Sequence, residues 1–456
     1  MAVGGDSDVC RPTSAEQVAD AMAAASQHGI PLGLRGAGQS YGDAALNSDG
    51  RLLDLCGMNT ILNFDPETGI AIVEPGVTIR QLWRLSIEHG WWPPVVPGTM
   101  HVSCGGAAAM NIHGKNNFAV GPFGEYVRSF KLMAPGGEVF TCSREQNADV
   151  FYGAIAGFGM LGCFLELELQ LKKVYSGRLR VTAITTPDLE SNLELMEENV
   201  PTADYLVGWI DCHARGRALG RGLLHRADQM QQGQDAAGEQ MLTARQQDLP
   251  SRILGVMPKG WCWPMVWCIV HGGMLRYLNA AKYKAGVREA GRSPRLETHG
   301  AFHFLLDYIP NWKKALLPGG LIQFQPFVPK DQAARVFRTI LETSQDRGLS
   351  PYLGVLKRHR QDRFLMTHAV NGFSLALDFA VTKANRDRLW RLCQELAEVV
   401  LEASGRFYYA KDAVLLASSH QRIHGLEAIS QFTALKQRLD PKGLLQTDLS
   451  RRICGA

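Results

Sequence analysis

Ten cysteines are scattered between Cys10 and Cys454, and no two are spaced as Cys-x-x-Cys. That spacing excludes a zinc ribbon or a thioredoxin-like redox motif, and no metal site is expected. Scattered thiols in a chain of this length read as reduced core residues rather than a disulfide framework. Blocks of like charge are also missing. A net charge of +4 over 456 residues is too small to mark a nucleic-acid partner. There is no GxxxxGK[ST] phosphate loop and no internal repeat. The N-terminal Met-Ala-Val-Gly-Gly-Asp lacks the basic and apolar regions of a secretory leader, so a cytoplasmic chain without a transmembrane helix is expected.

One stretch stands apart from that expectation. Ile253–Leu275 carries three tryptophans and a single formal charge, Lys259, but Pro258 and Pro264 interrupt it. The plainer reading is a buried segment of a second domain. The other is a surface patch peripheral to a membrane, touching lipid or admitting a lipid-linked substrate.

Thr13 or Ser14 can cap a helix bearing Val18, Met22 and Ala25, and Ile30–Leu34 reads as a strand entering the loop Arg35-Gly36-Ala37-Gly38-Gln39-Ser40-Tyr41-Gly42-Asp43. Strands follow at Arg51–Leu55 and Ile70–Glu74, then an amphipathic helix at Ile79–His89. A second glycine cluster runs from Gly98-Thr99 to Gly105-Gly106. The third, Gly157-Phe158-Gly159-Met160-Leu161-Gly162, matches GxGxxG but in reversed context. The residues before it look helical, and Cys163–Leu171 after it alternates as a strand, so a Rossmann turn is rejected. Three glycine clusters within the first 165 residues suggest one extended anionic ligand held by backbone amides, with Ser40 and Arg35 in support.

The order RGAGQSYGD, PGT-x4-CGGA, MNIHGKN and GFGMLG followed by an alternating strand resembles the vanillyl-alcohol-oxidase (PCMH-type) flavoproteins. Further motifs narrow the resemblance to the decaprenylphosphoryl-β-D-ribose oxidase branch, whose members are flavin subunits of an arabinose-forming epimerase. They include Trp209-Ile210-Asp211, Gln323-Phe324-Gln325, Val355-Leu356-Lys357, Tyr408-Tyr409-Ala410-Lys411-Asp412 and Asp448–Arg452. The resemblance spans Arg11 to Arg452 and implies an α+β fold. A two-sheet PCMH-type FAD-binding domain (1–175) would be followed by a substrate, or cap, domain with an antiparallel sheet and flanking helices (176–404). A C-terminal segment (405–456) would return to the first domain.

The resemblance further implies FAD contacts from Arg35, Gly36, Ala37, Gly38, Gln39, Ser40, Tyr41, Gly42 and Asp43, then Gly98, Thr99, Ser103, Cys104, Gly105 and Gly106. Met110, Asn111, Ile112 and His113, then Gly159, Gly162, Cys163 and Phe164, and finally Tyr408 complete that set. Substrate contacts would come from Trp209, His303, Gln323, Gln325, Lys357, Ala376 and Lys411. Many family members carry FAD on a histidine of the first loop. Gln39 stands there in this chain, so non-covalent FAD is expected. Ala376 stands where the branch has cysteine and His303 where it has tyrosine, and both departures bear on pocket shape and substrate.

The implied reaction is oxidation of a secondary alcohol on a sugar, a polyprenyl-phosphate-linked ribofuranose at its 2-hydroxyl, with hydride passing to flavin N5. His113, Tyr41 and Lys411 are the candidate catalytic residues, and the base among them stays open. A short-chain reductase partner would reduce the keto product. The alternatives are an alditol or aldonolactone oxidase, a sterol-type reductase of the same fold, or a flavin-binding protein without catalysis.

Overall fold

A computed structural model describes residues 2–253, 257–271, 273–292 and 294–455. The helix Ala15–His28 begins where Ser14 accepts from the Gln17 amide and ends at Gly29, whose φ of 64° is the left-handed conformation favouring glycine. Its apolar face (Val18, Met22, Ala25) packs with Leu32 and Leu53 of a small parallel sheet. In that sheet Arg51–Asp54 lies between Asp8–Cys10 and Leu32–Arg35. A second sheet is antiparallel and five-stranded, in the order Ile61–Asp65, Ile70–Val73, Cys163–Gln170, Val127–Met133, Val139–Ser143. Ile61–Asp65 had no alternating pattern to announce it.

The helix Ala148–Ala154 precedes the third glycine cluster and the strand Cys163–Gln170 follows it, the helix-to-strand order read from the sequence. Phe158 and Gly159 there both have positive φ, at 58° and 76°.

The nine-stranded sheet is antiparallel throughout. It runs Arg295–Thr298, Arg178–Thr186, Gly222–Gln229, Tyr205–Ile210, Leu353–His359, Gly372–Ala380, Pro326–Pro329, Arg406–Phe407, with Leu321–Phe324 also pairing Gly372–Ala380. Helices Leu189–Asn199, Ala333–Asp346 and Arg386–Glu402 bury Leu193, Phe337 and Leu396 against one of its faces. The residues after 404 divide their contacts. Arg406–Phe407 closes this large sheet, whereas Leu444 and Gln446 exchange backbone hydrogen bonds with Leu32 of the first sheet.

The buried-segment reading of Ile253–Leu275 does not hold for its described residues. Residues 254–256 and 272 lie outside them. The helix Trp263–His271 packs one side on the turn Trp312–Leu316, and Val270 reaches a cluster with Tyr41. Along this stretch Trp261, Met265, Trp267 and Met274 are exposed, Trp261 at 76%. Among the described residues no helix is long and apolar enough to cross a membrane.

Candidate active site

A cavity of about 540 Å³ lies between the glycine loops and the open face of the nine-stranded sheet. Register explains which side chains reach it. Leu223, Trp209, Val355 and Ala376 form one cross-strand row, and Lys357 pairs with Ser374 in the next. Side chains of a strand alternate between faces, so Val207 and Trp209, then Leu353, Val355 and Lys357, then Ser374, Ala376 and Asp378 all enter the cavity.

Most of the expected residues meet here. Arg35 through Tyr41, with Ala44, form one wall beside Gly98, Thr99, Ser103, Gly105, Gly106, Met110, Ile112 and His113. Gly159, Gly162, Phe164 and Tyr408 complete it, and Trp209, His303, Gln323, Gln325, Lys357, Ala376 and Lys411 face them.

Five expected cofactor contacts do not line the cavity. Gly42 lets the backbone pass Asp412, whose carbonyl oxygen would sit 1.6 Å from an added Cβ. Both Asp43 carboxylate oxygens bind Arg452, at 2.7 and 2.8 Å. Cys104 and Cys163 are fully buried in hydrophobic clusters. Asn111, at φ 45°, spends its side-chain oxygen on the Gly124 amide at 2.9 Å. These residues shape the loops instead of facing a ligand.

The first loop suits an anion. Gly38 takes φ 61°, and Gly36 passes so close to Ser103 that an added Cβ would lie 2.1 Å from its Oγ. Ser103 Oγ accepts from the Ala37 amide at 3.1 Å. The amides of Gly38, Gln39 and Ser40 donate no hydrogen bond among the described residues and remain for phosphate oxygens. Gln39 carries no nucleophile, and its side-chain amide donates to the Ala37 carbonyl (3.2 Å) and accepts from Lys313 Nζ (3.0 Å). These residues therefore fit an FAD diphosphate held by backbone.

The electrostatics are those of a cation-rich, poorly solvated site. Burial pushes Lys357 down to about 8. Burial also takes Lys411 down to about 7, opposed by Asp378, and its Nζ lies 3.3 Å from the centroid of the Tyr41 ring. Asp378 is pushed up to about 6 by burial, against a hydrogen bond from Gln323 and the charge of Lys411. Tyr41 is raised well above its ordinary value, chiefly by burial and then by Asp378, so its phenol keeps its proton at neutral pH. His113 is lowered well below its ordinary value by burial and then by Lys357, and is neutral there. Its Nε2 lies 3.0 Å from the Gln325 amide nitrogen, while Nδ1 is buried with no partner. Its ring is enclosed by Phe327, His359, His368 and Tyr408.

Lys115, Lys282, His225 and Asp378 also line the cavity and were not anticipated. Asp378 follows Ala376 by two on one strand, so period two signalled it. Lys115 follows His113 by two within MNIHGKN. Lys282 sits in a Lys-Tyr-Lys run that carries no local signal of a cavity. Among the described residues no group of His, Cys, Asp and Glu side chains is arranged to hold a metal ion.

Residues 7–143 match the family described as FAD binding domain. Over 94% of this chain and 90% of the relative, the sequence is 28% identical to decaprenylphosphoryl-β-D-ribose oxidase of Mycolicibacterium smegmatis. L-gulono-1,4-lactone dehydrogenase of Mycobacterium tuberculosis is 29% identical over 49% of the chain and 50% of its own length. For L-gulonolactone oxidase of Bos taurus the figures are 29%, 35% and 36%. The chain carries an FAD-binding domain and is an FAD-dependent oxidoreductase, similar over nearly its whole length to a sugar-oxidising flavoprotein.

Proposed function

We propose that this enzyme oxidises a secondary alcohol of a sugar carried on a polyprenyl phosphate, a ribofuranose at its 2-hydroxyl. The observation that carries the reading is the cavity itself. Glycine loops fit for FAD face a wall of two glutamines and several lysines, and an apolar helix stands at its edge. Gln323 and Gln325 suit sugar hydroxyls, and Lys357 and Lys411 suit negative charge. FAD, when bound, supplies the hydride acceptor, and Gln39 leaves it without a covalent link. His113 is neutral and its Nε2 accepts from the Gln325 side-chain amide, which fixes the ring, while Lys411, lowered to about 7, takes the hydroxyl proton as its free amine. Tyr41 acts as a hydrogen-bond donor, because its phenol is protonated.

The full-length relative of matching name supports the substrate class. So does the exposed apolar surface of Trp261, Met265, Trp267, Met274 and Tyr277. No acidic residue lies between Asp248 and Glu289, while Arg276, Lys284 and Arg288 do, a composition suited to peripheral contact with an anionic bilayer. The keto product would pass to a reductase partner to complete an epimerisation.

A second reading, an aldonolactone or alditol oxidase, is favoured by the lactone-oxidising relatives and by the altered positions Ala376 and His303. Anaerobic mixing with polyprenylphosphoryl ribose, aldonolactones, alditols and sterols separates them. Bleaching of the yellow flavin by the lipid-linked sugar is expected, and bleaching only by lactones or polyols overturns the reading. Co-sedimentation with phosphatidylglycerol vesicles tests the membrane contact, which absence of binding would remove.

A further inference from the structure

Lys282 reaches the cavity by a route independent of the residues assigned above. Its helix, Leu275–Ala290, lies against the strand Gly222–Gln229 at Gly286, where an added Cβ would sit 2.2 Å from Leu223 Cδ2. Leu223 is the register partner of Trp209. One turn before Gly286 on the same helical face, Lys282 is thereby delivered over the indole of Trp209, with Nζ 4.2 Å from the ring centroid. On the far side Arg221 stacks 4.8 Å from the Tyr283 ring and fixes the helix there.

Its surroundings are cationic. His225, two residues beyond Leu223 on the same strand face, feels both Lys115 and Lys282, and Lys115 feels Lys357. Lys115 Nζ donates to the Phe302 carbonyl and stands 4.2 Å from that ring. The nearest acid on the helix, Glu289, bridges Arg295 and lies 3.8 Å from His225. Among the described residues Lys282 has no ion pair. Protein packed around the ammonium pushes it down to about 8, although the residue keeps an exposed side toward solvent.

We infer that Lys282 on the Trp209 ring, with His225 and Lys115 behind it, forms an anion subsite that takes a phosphate ester of the substrate. This rests on the reading that the substrate carries a phosphate. It separates two tasks. Lys411, beside Tyr41 and Asp378, serves the end of the cavity near the first loop, and Lys282 serves the sheet end. An ammonium without an ion pair, held on an aromatic plate at the solvent-open rim of the cavity, meets an anion there through a charge-assisted contact.

The test is calorimetric titration of the holoenzyme with farnesyl phosphate, ribose 5-phosphate and neutral farnesol, in wild type, Lys282→Gln and Lys282→Arg. Lys282→Gln is expected to weaken farnesyl phosphate at least ~10-fold, the size of one charge-assisted contact, with Lys282→Arg recovering most of it. Farnesol binding should be equal in all three. Equal affinity of wild type and Lys282→Gln for both phosphates, no phosphate binding by wild type, or a parallel loss for farnesol overturns the subsite. If ribose 5-phosphate alone shows the dependence on Lys282, the subsite stands and its ligand is a free sugar phosphate. If binding depends on Lys282 but no polyprenylphosphoryl sugar bleaches the flavin, the subsite stands and the substrate reading fails.

Discussion

Replacing Arg452 with methionine removes a cation that joins the first glycine loop to the C-terminal segment through two carboxylates. Arg452 holds Asp43 through both Nε and Nη2, at 2.7 and 2.8 Å, and holds Asp412 through Nη1 at 2.8 Å. The carboxylates are 10% and 5% exposed and the guanidinium 20%, so water screens the cluster little. Truncating one partner of such a buried pair strands the other charges, at a cost of ~3–5 kcal/mol. Because Arg452 keeps a solvent edge, about 3 kcal/mol is expected, read as a lower urea midpoint. Low exposure also means that the deficit should persist in molar salt. Asp43 follows directly on the loop that lines the cavity, so the variant should shed FAD faster, seen as rising free-flavin fluorescence. Adding Asp43→Asn should restore part of the stability, since one stranded charge is removed. A loss under ~1 kcal/mol with normal FAD retention would refute this account of the loop's anchoring.

Gly36→Val drives a side chain into Ser103 Oγ and should weaken FAD retention by ~10-fold or more in a dialysis assay, in line with overpacking costs; unchanged retention counts against the close approach. On a denaturing gel flavin fluorescence should leave the chain, and fluorescence at the protein band would contradict the reading of Gln39. Stability should climb as pH rises from about 4 to 6.5. Burial holds His225, His299 and His420 at about 4 and His368 at about 3, so below 6.5 the unfolded chain binds more protons. Asp362 and Asp378, raised to about 6, act the other way but are fewer. A urea midpoint that is flat or falling over that window would oppose the burial of these imidazoles.

The first sheets and loops were legible because backbone constraints write themselves into sequence. Gly36 and Gly38 are glycine for reasons of space and φ, and the Ser14 cap and the alternation of Cys163–Gln170 are equally local signals. Asp43, Cys104, Asn111 and Cys163 sit inside the same motifs yet serve the loops' own packing. A motif marks a stretch without saying which side chains turn outward. The edge strand Ile61–Asp65, with a register shift between Ile61 and Asn63, carried no clear alternation. Lys282 was invisible because its role depends on Gly286 meeting Leu223, a contact between elements some sixty residues apart.

The two halves of the cavity therefore recognise by different means. The loop wall works through backbone amides and glycine geometry, which any FAD imposes and which tolerate little change. The sheet wall works through single side chains set by register, so each can be exchanged without disturbing its neighbours. Ala376 lies beside Val355 on the cavity face, and a small side chain there widens the cavity while Trp209 and Lys357 keep their register positions. His303, stacked 5.8 Å from Trp92 and edge-on 4.7 Å from Tyr205, is held by aromatic packing with both ring nitrogens unpartnered. It offers a ligand a polar contact at a position otherwise fixed by the core. Under the proposed function, substrate choice lies with the nine-stranded sheet and the helix Leu275–Ala290, and flavin binding with the loops that face them.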